Sequence, residues 1–335
     1  MPRQRSSGKL TLHQQARIAG ARQERTARRR GAVVVEEEGN WGAEEDGLVV
    51  AHYGYNVAVK GADGVECRAA VRETLSEDPV CGDKVRWRRN ERGEGIIEAL
   101  EPRHGVLVRP TFRGARQVLA ANVDQMVITV AAYHPNTGLI DRYLVAAEVA
   151  GIVPIIVVNK MDLVEAEEDL NFFLAPYPEM GYLVIKVSAV AGKGLKSLGK
   201  CLQDRVSVVV GHSGVGKSSL IARWVPDETL SVRTVNRTTG KGRHTTAVAR
   251  LYPLEGGGAL IDSPGIRAFG LSGVAAADIP RYFRDIAPYL DQCRFSDCRH
   301  REEPGCQVKK AVKKGKIDAL RLESLHRMVD SLDEV

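Results

Sequence analysis

Eight consecutive residues restrict this chain more than any others: Gly211, His212, Ser213, Gly214, Val215, Gly216, Lys217 and Ser218. They read G-x-x-x-x-G-K-S. The valine-rich run 206–210 precedes them, and 219–224, beginning at Ser219, can open a helix. An apolar run that does not alternate is the pattern of a parallel strand buried on both faces. Strand, glycine-rich loop and helix start, in that order, are the context in which this motif binds phosphate. The glycines let successive backbone N–H groups close on phosphate oxygens, and the helix aims its positive end at the anion. Lys217 is placed to reach the outer phosphates and the Ser218 hydroxyl to ligate Mg²⁺. The chain therefore holds at least one α/β layer built on a parallel sheet.

A second signal sits upstream. The apolar strand 154–158 ends in Asn159, Lys160, Met161 and Asp162, an N-K-x-D sequence. The Asp162 carboxylate can accept both N1–H and N2–H of guanine, a pair adenine does not offer, and an unpaired carboxylate against the wrong base is costly. The Lys160 stem can lie over the base, and Asn159 can tie this turn to the phosphate loop. Strand 182–187 then leads to Ser188 and Ala189, an S-A element of the kind whose backbone N–H meets the guanine carbonyl. After the phosphate loop comes 223–246, rich in Arg, Thr and Gly and ending Gly242, Arg243, His244, Thr245, Thr246. It reads as a segment that closes over the nucleotide. Strands at 247–252 and 259–261 follow, the second ending in Asp262, Ser263, Pro264 and Gly265. Asp262 stands where a metal-side acid belongs, and the Gly265 N–H where it can meet a γ-phosphate. The base-reading elements thus precede the phosphate loop, which is the order of a circularly permuted domain. Permutation keeps the same sheet because domain termini often lie close together.

Flanking modules are legible too. Residues 31–101 read as five or six short strands separated by turns such as Ala62, Asp63, Gly64, which suits a small barrel of the OB type. Tyr53, Tyr55 and Trp87 are either base-stacking platforms or barrel core. Residues 102–118 read as a basic connector. Near the other end, Cys293, Cys298, His300 and Cys306 place three thiols and an imidazole within fourteen residues. That donor set fits one tetrahedral zinc, and four protein ligands leave no open coordination position, so the metal is read as structural. A Lys-rich helical tail follows.

Charge is uneven. Residues 1–30 hold nine Lys or Arg against one acid, a net +8, so the other 305 residues sum to −2. Lys309, Lys310, Lys313, Lys314 and Lys316 form a second cluster. Basic ends on a near-neutral body point to an acidic polymer, and the arm alone reads as a disordered segment. No apolar run approaches the roughly 18–20 residues of a membrane span. The basic N-terminus has no apolar segment behind it. The scattered Cys67, Cys81 and Cys201 suit a reducing cytoplasm. There is no heptad pattern, so a monomer is expected.

Taken together, these motifs resemble the small-ribosomal-subunit-dependent GTPase family called RsgA or YjeQ. The likeness rests on the permuted order, the residues 211–219, the G-x-H-T-T at 242–246, the D-S-P-G at 262–265 and the zinc spacing. It implies an OB barrel at 31–105 after the basic arm 1–30, a permuted GTPase domain at 106–272, and a small α-helical zinc domain at 273–335. It further implies GTP and GDP as ligands, Mg²⁺ with GTP, contact with the small ribosomal subunit and its rRNA, and a role late in maturation of that subunit. Ile266 follows the D-x-x-G, where many GTPases carry a water-positioning Gln. By resemblance His244 takes that role and Thr246, rather than Thr245, meets Mg²⁺. The competing readings are a nucleotide-gated RNA-binding scaffold in which hydrolysis is incidental, an ATPase, which Asp162 opposes, and a zinc hydrolase, which the closed ligand set opposes.

Overall fold

The computed structural model describes residues 41–53, 56–72, 75–110, 116–165, 167–225, 249–262, 271 and 274–333. The first module is a barrel of β1 (Glu45–His52), β2 (Asn56–Gly61), β3 (Glu66–Val71), β4 (Lys84–Arg89) and β5 (Glu94–Leu100). Its order is β1-β2-β3-β5-β4 and back to β1, with β3 and β5 parallel and the other pairs antiparallel. That is the five-stranded OB-type closure expected from the turn spacing. Trp87 fills its centre and is fully buried. A Cβ on Gly47 would lie 2.6 Å from its Nε1, and one on Gly95 would lie 2.5 Å from its ring, so both strands need glycine beside it. Trp87 is therefore core and not a base platform, whereas Tyr53 is exposed. The Arg-rich face of β4 is internally neutralised: Arg86 pairs with Glu44 at 2.8 Å and with Asp46, Arg88 with Glu98, and Arg89 with Glu45 and Asp63.

The connector expected at 102–118 is in part a hairpin of β6 (Leu107–Pro110) and β7 (Arg116–Ala120). Its arginines made it read as linker, but Leu107 and Ala120 are fully buried and pin the strands to the core. Upstream, the Arg103 guanidinium grips the buried Asp83 carboxylate with two bonds of 2.7 Å.

Next comes the parallel sheet, in the order β10-β9-β8-β11-β13-β12. Its strands are β8 (Gln125–Ala131), β9 (Val153–Asn159), β10 (Leu183–Lys186), β11 (Val206–Val210), β12 (Arg250–Pro253) and β13 (Ala259–Asp262). All neighbours are parallel except the antiparallel β12 and β13. Every residue of β8 is buried, as a strand covered on both faces requires. Helix α1 (Thr137–Ala150) links β8 to β9. The Asn136 side chain caps it by accepting from the Leu139 N–H at 3.0 Å, and Gly151 ends it in the left-handed region. Helix α2 (Glu167–Leu174) follows β9, α3 (Leu195–Leu202) precedes β11, and α4 (Lys217–Ile221) follows the phosphate loop. The strand carrying that loop is fourth in chain order of this sheet yet lies at its centre, which is the permuted arrangement. Strand β12 reaches the barrel through the pair Ala51 and Arg250.

The C-terminal module has 3₁₀ segments at Ala276–Tyr282 and Ala287–Gln292, then helices α5 (Gln307–Lys313) and α6 (Ala319–Asp333). Helix α6 packs on α1 through a buried charge cluster. Arg321 donates to Asp141, and its Nε and Nη2 reach the Asp285 carboxylate at 3.1 and 2.9 Å. The Tyr177 hydroxyl donates to Asp141 at 3.0 Å, and the guanidinium stacks 4.6 Å over the Phe283 ring. Against a burial that favours its neutral form, the two carboxylates hold Arg321 above its ordinary pKa. Among the described residues no helix is long and apolar enough to cross a membrane.

Candidate nucleotide site and candidate metal centre

The loop 211–216 is shaped by its glycines. Gly211 has φ 141° and a Cβ there would meet the Thr129 carbonyl oxygen at 2.2 Å; Gly216 has φ 91° and a Cβ there would lie 2.4 Å from Asn159 Nδ2. Neither position admits another residue without moving a neighbour. Beside the loop the Tyr143 phenol is buried, and that burial raises its pKa above the ordinary value. Lys217 opens α4 and curls over the loop, with Nζ donating to the carbonyls of Gly211 at 2.8 Å and His212 at 2.6 Å. Ser213, Gly214, Val215, Ser218 and Ser219 complete the loop and first helical turn beside it.

Asn159, Lys160 and Asp162 stand at the carboxyl end of β9, beside that loop. Asn159 is almost wholly buried and works in two directions. Its Nδ2 donates to the Val215 carbonyl at 3.0 Å, and its Oδ1 accepts the Ala189 N–H at 3.0 Å. One side chain thus joins the N-K-x-D turn, the S-A turn and the phosphate loop. Lys160 takes a left-handed φ of 65°, and its ammonium lies 5.4 Å from the centroid of the Tyr133 ring. The Ser188 hydroxyl donates to Asp162 Oδ1 and accepts the Ala191 N–H at 2.9 Å. Asp262 closes β13, the strand next to β11. His244, Thr246 and Gly265 lie outside the described residues.

The structure also brings in two residues that sequence reasoning passed over. Arg223 donates from Nε to the Ala189 carbonyl at 2.6 Å and from Nη2 to the Val190 carbonyl at 2.9 Å. Tyr133 supplies the ring beside Lys160. Neither belongs to a motif, and each becomes visible only when separate strands are placed side by side.

The four expected metal ligands converge: the donor atoms of Cys293, Cys298, His300 and Cys306 lie within 4.8 Å of one another. His300 Nδ1 sits 3.7 Å from the Cys293 sulfur and 3.5 Å from the Cys306 sulfur. The backbone is arranged for thiolates, since the Gln307 N–H points to Cys293 Sγ at 3.4 Å and the Lys309 N–H to Cys306 Sγ at 3.5 Å. Burial pushes the Cys298 thiol up to about 12 and the Cys306 thiol upward. A divalent cation reverses that preference, because a coordinating thiol is deprotonated. The residues present therefore fit a metal ion, and the donor chemistry is that of a closed, four-ligand site.

Sheet order, phosphate loop and the Asn159 junction define a circularly permuted P-loop nucleotide-binding fold with a barrel in front and a metal-ligand cluster behind. The family model described as RsgA GTPase matches residues 100–272. The "Small ribosomal subunit biogenesis GTPase RsgA" of Azotobacter vinelandii is 45% identical over 336 residues, covering 97% of this chain and 98% of the relative. The protein of that name from Pseudomonas aeruginosa is 44% identical over 332 residues, with 97% and 98% covered. Among solved structures, YjeQ from Thermotoga maritima superposes with a TM-score of 0.69 at 30% identity, over 87% of this chain and 99% of that one. YloQ, described as a circularly permuted GTPase, gives 0.67 at 24% identity, over 90% and 98%, a likeness of fold. The chain belongs to the RsgA GTPase family.

Proposed function

We propose that this chain hydrolyses GTP to GDP and phosphate in the biogenesis of the small ribosomal subunit, and that contact with that subunit and its rRNA stimulates turnover. The observation that carries the nucleotide reading is the Asn159 bridge, which holds the N-K-x-D turn against the phosphate loop. The ribosomal part rests on the shared name of relatives that match nearly the whole chain and on the basic ends of the sequence.

In this reading the backbone from Gly211 to Ser219 cradles the phosphates. Lys217 exchanges its bonds to Gly211 and His212 for the outer phosphates. Asp162 reads N1–H and N2–H of guanine, and the Ser188 hydroxyl, already bonded to Asp162, holds that carboxylate in place. Lys160 lies over the base, steadied by Tyr133. Ser218 and Thr246 would hold Mg²⁺ with GTP, and Asp262 would serve as the metal-side acid; the ion would supply neutralisation of phosphate charge. Gly265 meets the γ-phosphate. With Ile266 unable to orient water, His244 positions the water that attacks the γ-phosphorus as the bond to the β-phosphate oxygen breaks. Cys293, Cys298, His300 and Cys306 hold one zinc ion that fixes the C-terminal module. The protein acts as a soluble cytoplasmic monomer divided as 1–30, 31–105, 106–272 and 273–335.

The test is GTP turnover with and without purified small ribosomal subunits at two salt concentrations. Strong stimulation that fades with added salt, as electrostatic docking on RNA requires, and that disappears in His244→Ala, supports the reading. A slow rate indifferent to the subunit overturns the activation step.

A further inference from the structure

We infer that Arg223 is a positioning residue for base recognition: it fixes the turn at 188–191 so that the Val190 backbone N–H, rather than that of Ala189, faces the guanine carbonyl oxygen. The inference rests on the guanine reading given above and deepens it.

The hydrogen bonds of the turn account for its amides in order. The Ser188 N–H donates to the Lys193 carbonyl at 3.0 Å. The Ala189 N–H is taken by Asn159 Oδ1, and the Ala191 N–H by the Ser188 hydroxyl. The Val190 amide is the one that these bonds leave for a ligand, and Val190 is 77% exposed at the tip of the turn. Its direction is set by Arg223. A trans peptide is planar, so the carbonyl of one residue and the N–H of the next point in opposite directions. Arg223 draws the Ala189 carbonyl toward itself at 2.6 Å and so turns the Val190 N–H the other way. Its second bond, to the Val190 carbonyl at 2.9 Å, fixes the adjoining peptide plane. Both bonds are charge-assisted, and the planar guanidinium serves two acceptors at once where a lysine serves them as a point charge.

The placement has a second aspect. Arg223 follows α4, the helix that opens at Lys217, and lies 34 residues from Ala189 in the chain. Asn159 ties the S-A turn to Val215, at the helix end of the phosphate loop, and Arg223 ties it to the far end of the phosphate-loop helix. The base-facing amide is thus held from both ends of one helix, and loosening it shortens the residence of a guanine nucleotide without touching the phosphates.

The experiment measures release of fluorescently labelled GDP, and the affinities of GDP, 6-thio-GDP and ADP, for the full chain and its Arg223→Met and Arg223→Lys variants. The thio analogue keeps N1–H and N2–H and weakens only the acceptor that Val190 would address. Arg223→Met is expected to release GDP about tenfold faster, the scale of one lost charge-assisted bond. Its preference for GDP over 6-thio-GDP should shrink, its weak ADP binding should stay unchanged, and Arg223→Lys should fall between. Unchanged GDP release in Arg223→Met, or an equal loss for GDP and 6-thio-GDP, overturns the inference while leaving the guanine reading intact. A wild-type chain with no preference for GDP over ADP overturns that reading and this inference with it.

Discussion

Replacing Arg321 by Leu tests whether the C-terminal module is locked to the nucleotide-binding sheet by charge. The guanidinium is only 4% exposed and Asp141 2%, both as side chains. Its removal strips both Asp141 and Asp285 of their cation and leaves Asp141 the Tyr177 and Ser324 hydroxyls, while burial already pushes the Asp141 carboxyl above its usual range. Breaking a buried pair by deleting one partner costs about 3–5 kcal/mol. For units of this size that corresponds to a fall in melting temperature of roughly 6–20 °C. Thermal unfolding by circular dichroism gives the magnitude, and amide exchange along 319–333 shows where protection is lost. The triple variant Asp141→Leu, Asp285→Leu and Arg321→Leu removes the whole cluster and should recover half or more of the loss, since apolar replacement of a complete buried charge cluster is often neutral. A single variant that melts within about 2 °C of wild type, with unchanged exchange in 319–333, would refute the argument.

Other consequences are checked more simply. Asp162→Asn presents one acceptor and one donor instead of two acceptors, so preference should move from GDP toward xanthosine diphosphate, read by competition binding. Gly216→Ala forces a Cβ to 2.4 Å from Asn159 Nδ2 at a positive φ; nucleotide affinity should fall by at least about tenfold, the loss of one strong hydrogen bond, as read by equilibrium titration. Cys306→Ser, or treatment of the wild type with a strong chelator, should release one equivalent of zinc measured by atomic absorption. Cooperative melting of the C-terminal module should then be lost, because metal binding in such sites is coupled to folding.

How much of this was written locally in the chain follows from the range over which each feature acts. The phosphate loop and the four metal ligands each occupy one short stretch, where backbone geometry and ligand spacing leave a fixed pattern. Asn159 was legible because N-K-x-D is itself such a pattern; its bond to the Val215 carbonyl runs to the phosphate loop, whereas its second bond, from the Ala189 N–H, carried no local signal. Arg223 and Arg321 carry no local signal: an arginine after or within a helix looks the same whether it meets water or a carbonyl 34 residues away. Of the two carboxylates that meet Arg321, Asp141 lies 180 residues distant, and only the packing of α6 on α1 selects it. The hairpin 107–120 was masked by its arginines, and the aromatic character of Trp87 said nothing of whether it faced in or out. His244, Thr246 and Gly265, assigned by resemblance, fall outside the described residues.

The contact between β12 and the barrel has a further meaning for the separate existence of the parts. Strand β12 is the last strand of the nucleotide-binding sheet, and β1 pairs with it. Arg250 on that strand also bonds Glu66 of β3 at 2.8 Å and the Tyr53 hydroxyl at 3.1 Å. An uncovered outer strand offers its unpaired N–H and C=O groups to any other chain. The barrel therefore covers part of that border at Ala51, and a nucleotide-binding unit cut away from it would expose β12 as an open edge. A fragment that begins after the barrel thus carries a newly bared strand as well as an Arg250 that has lost both Glu66 and Tyr53.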